Sequence, residues 1–221
     1  MTLDFSIIVP YISAFGSALL VTVEVTICSL LLGILLAIPL SLFKICNIRP
    51  LQWFADFYTS IFRGVPLLVQ VFLMYLGVPL VTPLKFTAFQ AGVLVFSMNS
   101  AAYLSESMRG GIKAIDRGQY EAAMALGVHY GSMMKDIIIP QAIKSVMPSL
   151  VNEFISLMKN TTLIAAIGLV DILRWGQQIQ ARTYRAFEPF FVIAVFYYIL
   201  VMILSYLGKL LEKWVNKSDR H

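Results

Sequence analysis

Histidine and cysteine are almost missing from this chain, with two of each among 221 residues. His129 and His221 both fall outside the apolar runs and no H-E-x-x-H occurs. That excludes a membrane-embedded metalloprotease or haem enzyme built on paired histidines, and no metal site is expected. Cys28 lies deep in an apolar run and Cys46 at its end, a placement that disfavours a disulfide and leaves both as inert small apolar side chains. A phosphate-cradling loop is missing as well: the Gly208-Lys209 pair has neither a Gly five residues earlier nor a Ser or Thr after it. Energy for any work must then come from another chain. Charge is scarce, 13% of residues against 59% hydrophobic, a balance beyond that of soluble domains that places the chain in a membrane. The net charge of +5 fits the basic loops of a polytopic membrane protein, and no nucleic-acid partner is expected.

What is present is long apolar stretches. A bilayer core of about 30 Å takes roughly 20 helical residues, and residues 14–43, 65–81, 86–108 and 189–211 meet or approach that length. Arg63-Gly64-Val65-Pro66 precedes the short second stretch, and a Pro near a helix start allows that span to begin earlier with a kink. Residues 146–172 form a further candidate, interrupted by Glu153 and Lys159. Charge bias decides in its favour. With five spans and the N-terminus outside, twelve Lys and Arg, Arg63 among them, fall in inside segments; Lys85, Arg174, Arg182 and Arg185 fall outside and Lys159 in a span, as the positive-inside rule requires. Asp4 in place of a basic leader, and the length of the first run, mark a retained span and not a cleaved signal. The expectation is an all-α integral membrane protein with five transmembrane helices. A short extracytoplasmic segment (1–13) precedes the transmembrane domain (14–211), and a basic cytoplasmic tail (212–221) follows it.

Between the third and fourth spans this topology leaves a long cytoplasmic loop, about 109–145. Asp116 and Gln119 resemble a capping box, Glu121, Ala122, Ala123 and Met124 favour helix, and Gly127 sits where a left-handed terminator belongs. A second short helix runs through Met133, Met134, Lys135 and Asp136, with Pro140 as its limit or kink. Met124, Met133 and Met134 offer the adaptable contacts used in docking. Helix propensity alone allows a solvated hairpin that merely connects two spans.

The spacing of Glu121-Ala122-Ala123, Gly127 and Ile137 to Pro140 resembles the cytoplasmic signature of the membrane subunits of bacterial ABC importers, with Ile139 where Leu is usual. FRGVPLLVQVFLMYLG (62–77), NSAAYLSESMRGGI (99–112) and IIIPQAIKSVMPSLVNEFISLMKNTTL (137–163) look like the branch that imports polar amino acids. Val65 stands where Thr is common and Asn160 where Asp often follows the Lys. The resemblance implies the transmembrane domain of a type I ABC importer in a bacterial cytoplasmic (inner) membrane, with its C-terminus in the cytoplasm. It also implies a second permease subunit, identical or paralogous, an extracytoplasmic amino-acid-binding protein, and separate ATPase subunits that carry ATP and Mg. The chain itself would bind no cofactor. Glu121, Ala122, Ala123, Gly127 and Pro140 would couple it to the ATPase through the loop 116–140.

Residues of the fourth span suggest the passage. Ser149, Asn152, Glu153, Ser156 and Asn160 recur at three- and four-residue intervals and share one helical face. A carboxylate at mid-bilayer costs about 2.5–3.5 kcal/mol on insertion scales, so such a face meets a bundle interior or a wet cavity. With Lys159 it suits a zwitterion; the alternative is a Glu153 and Lys159 charge balance that only holds a dimer together. Asn99 is a candidate ligand contact, since a buried amide must find hydrogen bonds. Glu24, between Thr22 and Thr26, is either a second intramembrane carboxylate or solvated near the outer surface. Ser97, Ala101 and Ser105 form a small-residue row for close packing, and Glu106 is expected to pair with loop charges. Residues 171–188, rich in Arg and Gln, form either a docking surface for the binding protein or an interfacial amphipathic helix. A stand-alone ion-coupled transporter or channel is the remaining alternative function.

Overall fold

In a computed structural model, residues 3–216 are described, and they contain helices and no strand. Lys217 and Arg220 of the expected basic tail lie outside the described residues. A 3-10 turn, Phe5–Tyr11, leads into α1 (Ile12–Ile45). Next come α2 (Arg49–Gly64), α3 (Leu67–Phe72) and α4 (Val78–Val81), the last two joined by a π segment, Leu73–Gly77. The central helix is α5 (Ala88–Lys113). After α6 (Arg117–Ala125) and α7 (Tyr130–Ser132) a π segment, Met133–Ile138, runs into α8 (Ile139–Asn160). A 3-10 stretch, Thr161–Ile167, α9 (Ile172–Thr183) and α10 (Phe187–Asn216) complete the chain.

Two helical stretches, Phe5–Ile45 and Phe187–Val215, are by themselves long and apolar enough to cross a membrane. Two bent pairs bring the candidates to four: Arg49–Gly64 with Leu67–Val81, bent by 103°, and Tyr130–Ile167 with Ile172–Thr183, bent by 46°. α5 falls short on composition because it is the hub. It buries Ser97, Asn99, Ser100 and Ser105 against other helices, a pattern that satisfies neighbours and not lipid.

Small residues let α1 and α5 approach. A Cβ on Gly33 would lie 3.0 Å from the Ser100 Cβ and 3.3 Å from the Ser97 carbonyl oxygen, so only glycine fits without a shift. Farther along, Ala37 and Leu40 share a buried cluster with Ala101 and Leu104, and Lys44 reaches Glu106. The two helices therefore run parallel. α8 returns antiparallel: Gly111 near the end of α5 meets Ala142 and Val146 near the start of α8, while Gly92 near the start of α5 meets Ile164 beyond the end of α8.

The second apolar stretch begins earlier than its hydropathy indicates, and it is broken. Pro66 has no amide hydrogen to donate and disfavours helix at the preceding residue; Val65 is accordingly extended, at φ −94° and ψ 134°. The carbonyls freed at the end of α2 lie opposite Asn99, midway along α5, where water is scarce and unpaired groups are costly. Two amides satisfy them. Gln70 Nε2 donates to the Phe62 carbonyl at 3.0 Å and to the Val65 carbonyl at 2.8 Å, and Asn99 Nδ2 donates to the Phe62 carbonyl at 2.7 Å. The Tyr58 hydroxyl donates to the Met98 carbonyl at 2.8 Å, fixing α2 on α5 one turn earlier.

Below this elbow, Lys44 of α1 is buried and gives its ammonium to Asp56 Oδ1 (2.9 Å), Thr59 Oγ1 (2.9 Å) and Glu106 Oε1 (2.6 Å). Arg109 takes the other Glu106 oxygen at 2.7 Å. Glu106 thus pairs with a lysine of α1 as well as with the arginine one turn farther along its own helix. A fully paired charge cluster of this kind ties α1, α2 and α5 together. Replacing Gln70 with Leu removes two hydrogen bonds, leaving the Phe62 carbonyl with Asn99 alone and the Val65 carbonyl without its amide donor; it should lower stability by about 1–3 kcal/mol, read as a lower thermal transition in detergent, and an unchanged transition would contradict the elbow's dependence on that amide.

Candidate functional site

The elbow opens onto a cavity of about 840 Å³. Residues 62–67 form one wall; Asn99, Tyr103, Glu106 and Ser107 of α5 and Ser149, Asn152, Glu153, Ser156 and Asn160 of α8 form the others. All five polar positions expected on one face of the fourth span therefore line a single space. Lys159 and Glu24 are exposed and lie outside this lining. Asn99 borders the cavity, but its amide nitrogen is engaged by the Phe62 carbonyl, so its hydrogen-bond partner is the backbone of the elbow.

Arg63, which the charge count places in an inside segment, occupies the last turn of α2 and lines the cavity, its guanidinium 5.4 Å from the centre of the Tyr103 ring. An adjoining depression of about 470 Å³ continues past Arg63 and Tyr103 to Asp56, Thr59 and Ser60 of α2. Sequence reasoning missed Arg63 and Tyr103, and the signal available was the Arg-Gly-x-Pro run itself, a helix end followed by an obligatory break. Electrostatically the cavity holds three charged side chains of different standing. Glu106 is paired on both oxygens, whereas among the described residues neither Arg63 nor Glu153 has an ion-pair partner.

The loop between α5 and α8 is a hairpin closed on its own small core. Asp116 caps α6 by accepting from the Gly118 amide at 2.6 Å; the capping partner is thus Gly118 and not Gln119. Gly127 has φ +72°, and the Val128 amide reaches back to the Ala123 carbonyl at 3.0 Å, the closing bond of a left-handed helix end. Ala123, Met133 and Ile138 are buried against Ile112, Ile115, Tyr120 and Val128. Met133 is therefore part of the loop's interior and not of a docking face. Glu121 and Ala122 are exposed, beside Met124 and Leu126, which are 62% and 82% exposed. Pro140 neither ends nor limits the second helix, because the π segment before it places it in the first turn of α8, where the missing amide is tolerated.

On the far side, α9 buries Ile172, Gly176 and Ile179 and starts at Asp171, whose carboxylate accepts from the Arg174 amide at 2.8 Å. The turn after it exposes Tyr184, at φ 55°. Arg185 pairs with Glu188 at 2.7 Å, and the same carboxylate oxygen accepts from the Asp4 amide at 3.2 Å, so the N-terminal segment is fastened to the start of α10. The Ser6 hydroxyl and amide both donate to the Asp4 carboxylate and hold its pKa below the ordinary value.

Comparison with known proteins bears on this arrangement. The arginine transport system permease protein of Bacillus subtilis is 46% identical over 219 residues, 99% of this chain and 100% of that protein. A putative glutamine transport system permease protein of Rickettsia felis is 45% identical over 194 residues, 88% of this chain and 89% of that protein. The crystal structure of an amino acid ABC transporter with histidines contains a chain 40% identical, matched at a TM-score of 0.91 over 96% of this chain and 99% of that one. A methionine ABC transporter in inward-facing conformations, 18% identical, matches at a TM-score of 0.80 over 93% of this chain and 98% of that one, a likeness of fold. Residues 29–217 match the family described as the binding-protein-dependent transport system inner membrane component, and the chain belongs to that family.

Proposed function

We propose that this chain is the permease subunit of an ATP-driven importer of polar amino acids, with the cavity at the elbow as the passage and the loop 116–140 as its joint to a separate ATPase. The observation that carries the reading is the cavity: a mid-helix space holding a cation and an anion that have no ion-pair partner among the described residues. Ionised groups at that depth need water or a charged ligand, and a zwitterion supplies a counter-charge to each. Relatives at nearly equal identity are named for arginine and for glutamine, so the class is assigned here and the side chain is not.

Five spans, with the N-terminus outside and the tail in the cytoplasm, fit this reading. The second span is α2 to α4 with its break, and the fourth is α8 with the 3-10 stretch after it. A second permease subunit, identical or paralogous, covers the open side of the cavity and the exposed Lys159, which lipid would not accept. Glu121, Ala122, Met124 and Leu126 offer the ATPase a mixed polar and apolar surface, while Ala123 and Gly127 shape the hairpin that presents it. The extracytoplasmic binding protein meets the turn after α9, where Arg182 and Tyr184 are exposed. Glu24 remains a lesser candidate, since it is exposed on α1 and outside the cavity lining.

The experiment is reconstitution of the permease with its ATPase and binding protein in liposomes. ATP-dependent uptake of a polar amino acid is the expected result, and uptake by the lone chain without ATP would refute the reading in favour of an ion-coupled transporter. In the same assay Gly127→Val, strained by the positive φ, should leave ATP hydrolysis poorly coupled to uptake, while Gly127→Asn, which tolerates that backbone, should retain coupling. Full coupling in Gly127→Val would remove the hairpin from the mechanism. Glu153→Gln should reduce uptake by about tenfold or more, the worth of one charge-assisted contact; unchanged rate and preference would make Glu153 structural.

A further inference from the structure

Four polar side chains meet inside the bundle where neither the cavity nor the loop has a use for them. Thr22 lies in α1, Thr161 directly after α8, Asp171 at the start of α9 and Tyr197 in α10, and none of them lines the cavity. Thr22, Thr161 and Asp171 are at most 1% exposed. Their surroundings are apolar: Ala18, one turn before Thr22, and Ile172, beside Asp171, belong to one buried cluster, and Tyr197 packs against it. The Tyr197 hydroxyl faces those of Thr22 and Thr161 and the carboxylate of Asp171. Yet Thr22 Oγ1, Asp171 Oδ2 and Tyr197 Oη are buried with no hydrogen-bond partner among the described residues. Buried polar atoms are nearly always paired, with protein or with ordered water.

The inventory of protons identifies what fits between them. Thr161 gives its proton to the Met158 carbonyl at 2.7 Å, so its oxygen is left to accept. Asp171 has one oxygen on the Arg174 amide and the other ready to accept. Thr22 and Tyr197 each keep a hydroxyl proton to donate. The group thus offers two donors and two acceptors, the complement of a water molecule, which accepts two hydrogen bonds and donates two. A bare cation would coordinate the oxygens but strand both hydroxyl protons among apolar side chains.

We infer that Thr22, Thr161, Asp171 and Tyr197 form the binding site of a single internal water molecule, which joins the end of α8 to α1, α9 and α10. Buried waters held by several polar partners are part of a fold and costly to remove. Thr161 follows Asn160, which lines the cavity, so the water fastens that end of the cavity wall to the helices behind it.

The test is the structure of the permease and ATPase complex in nanodiscs, determined by electron cryomicroscopy at a resolution that shows ordered waters, once with sodium and once with choline as the monovalent cation. A discrete peak within hydrogen-bond distance of all four oxygens in both maps is the expected result. Side chains bonded directly to one another with no peak between them would overturn the site, and a peak lost on replacing sodium by choline would overturn it in favour of a cation. These maps need no variant. Thr22→Val and Tyr197→Phe each remove one donor and should each lower the thermal transition of the complex. The double variant should lose less than the sum of the two, because both act through one water. Additive losses, or unchanged transitions in both single variants, would contradict the joining role.

Discussion

Where α2 stops beside the middle of α5, the backbone has to find hydrogen bonds without help from solvent, and most of the site follows from how it does so. Pro66 supplies no amide, and Val65 leaves the helix before it. The amides of Gln70 and Asn99 close the gap, one from the next helix and one from α5. Broken helices are tolerated at membrane depth only when buried protein or a water-lined space re-satisfies the freed groups, and at this elbow side-chain amides do so. One side of it is capped by side chains and the other faces the cavity, bringing Arg63 to a depth where a regular helix would present only apolar residues to its surroundings.

The rest of the fold serves to hold that geometry still. Gly33 lets α1 lie against α5 at Ser97 and Ser100, and Gly111 admits α8 beside α5. The Lys44 cluster then joins α1, α2 and α5 at one end of the cavity, the ammonium donating to Asp56, Thr59 and Glu106. Truncating one member of such a cluster leaves an uncompensated charge, whose penalty is about 3–5 kcal/mol for buried pairs. The exposed carboxylate of Asp56, 70% accessible on its side chain, is solvated and contributes less. The loop hairpin has its own core around Ala123, Met133 and Ile138, and the helical run continues from the π segment into α8, the wall that holds Glu153.

Periodicity made the α8 face legible, because three- and four-residue spacing of polar residues has one meaning on a helix and needs no partner to be recognised. The hairpin turn at Gly127 was legible for a similar reason: a left-handed terminus is a local demand. The elbow was not. α2 mixes Arg, Gln, Asp, Thr and Ser with aromatics, and hydropathy treats such a segment as a connector, while a positive-inside count assigns its arginines to loops. Asn99 was rightly expected to need a partner, but that partner is a carbonyl 37 residues away in sequence, which no local pattern encodes. Pro140 does not end the helix, as one of its two expected roles required, because the rule for proline presumes an α-helical ladder and the preceding π segment shifts which amides are required.

The account stands on the cavity being the wet, substrate-holding part of the passage. With Cys28 and Cys46 replaced by Ser, a single cysteine at Asn152 or Ser156 in the assembled transporter can be challenged with a water-soluble thiol reagent. Labelling that is fast without substrate and slowed by a transported amino acid is the predicted result. Cysteines at both positions that stay unreactive, or that label at the same rate whether or not a transported amino acid is present, would contradict it.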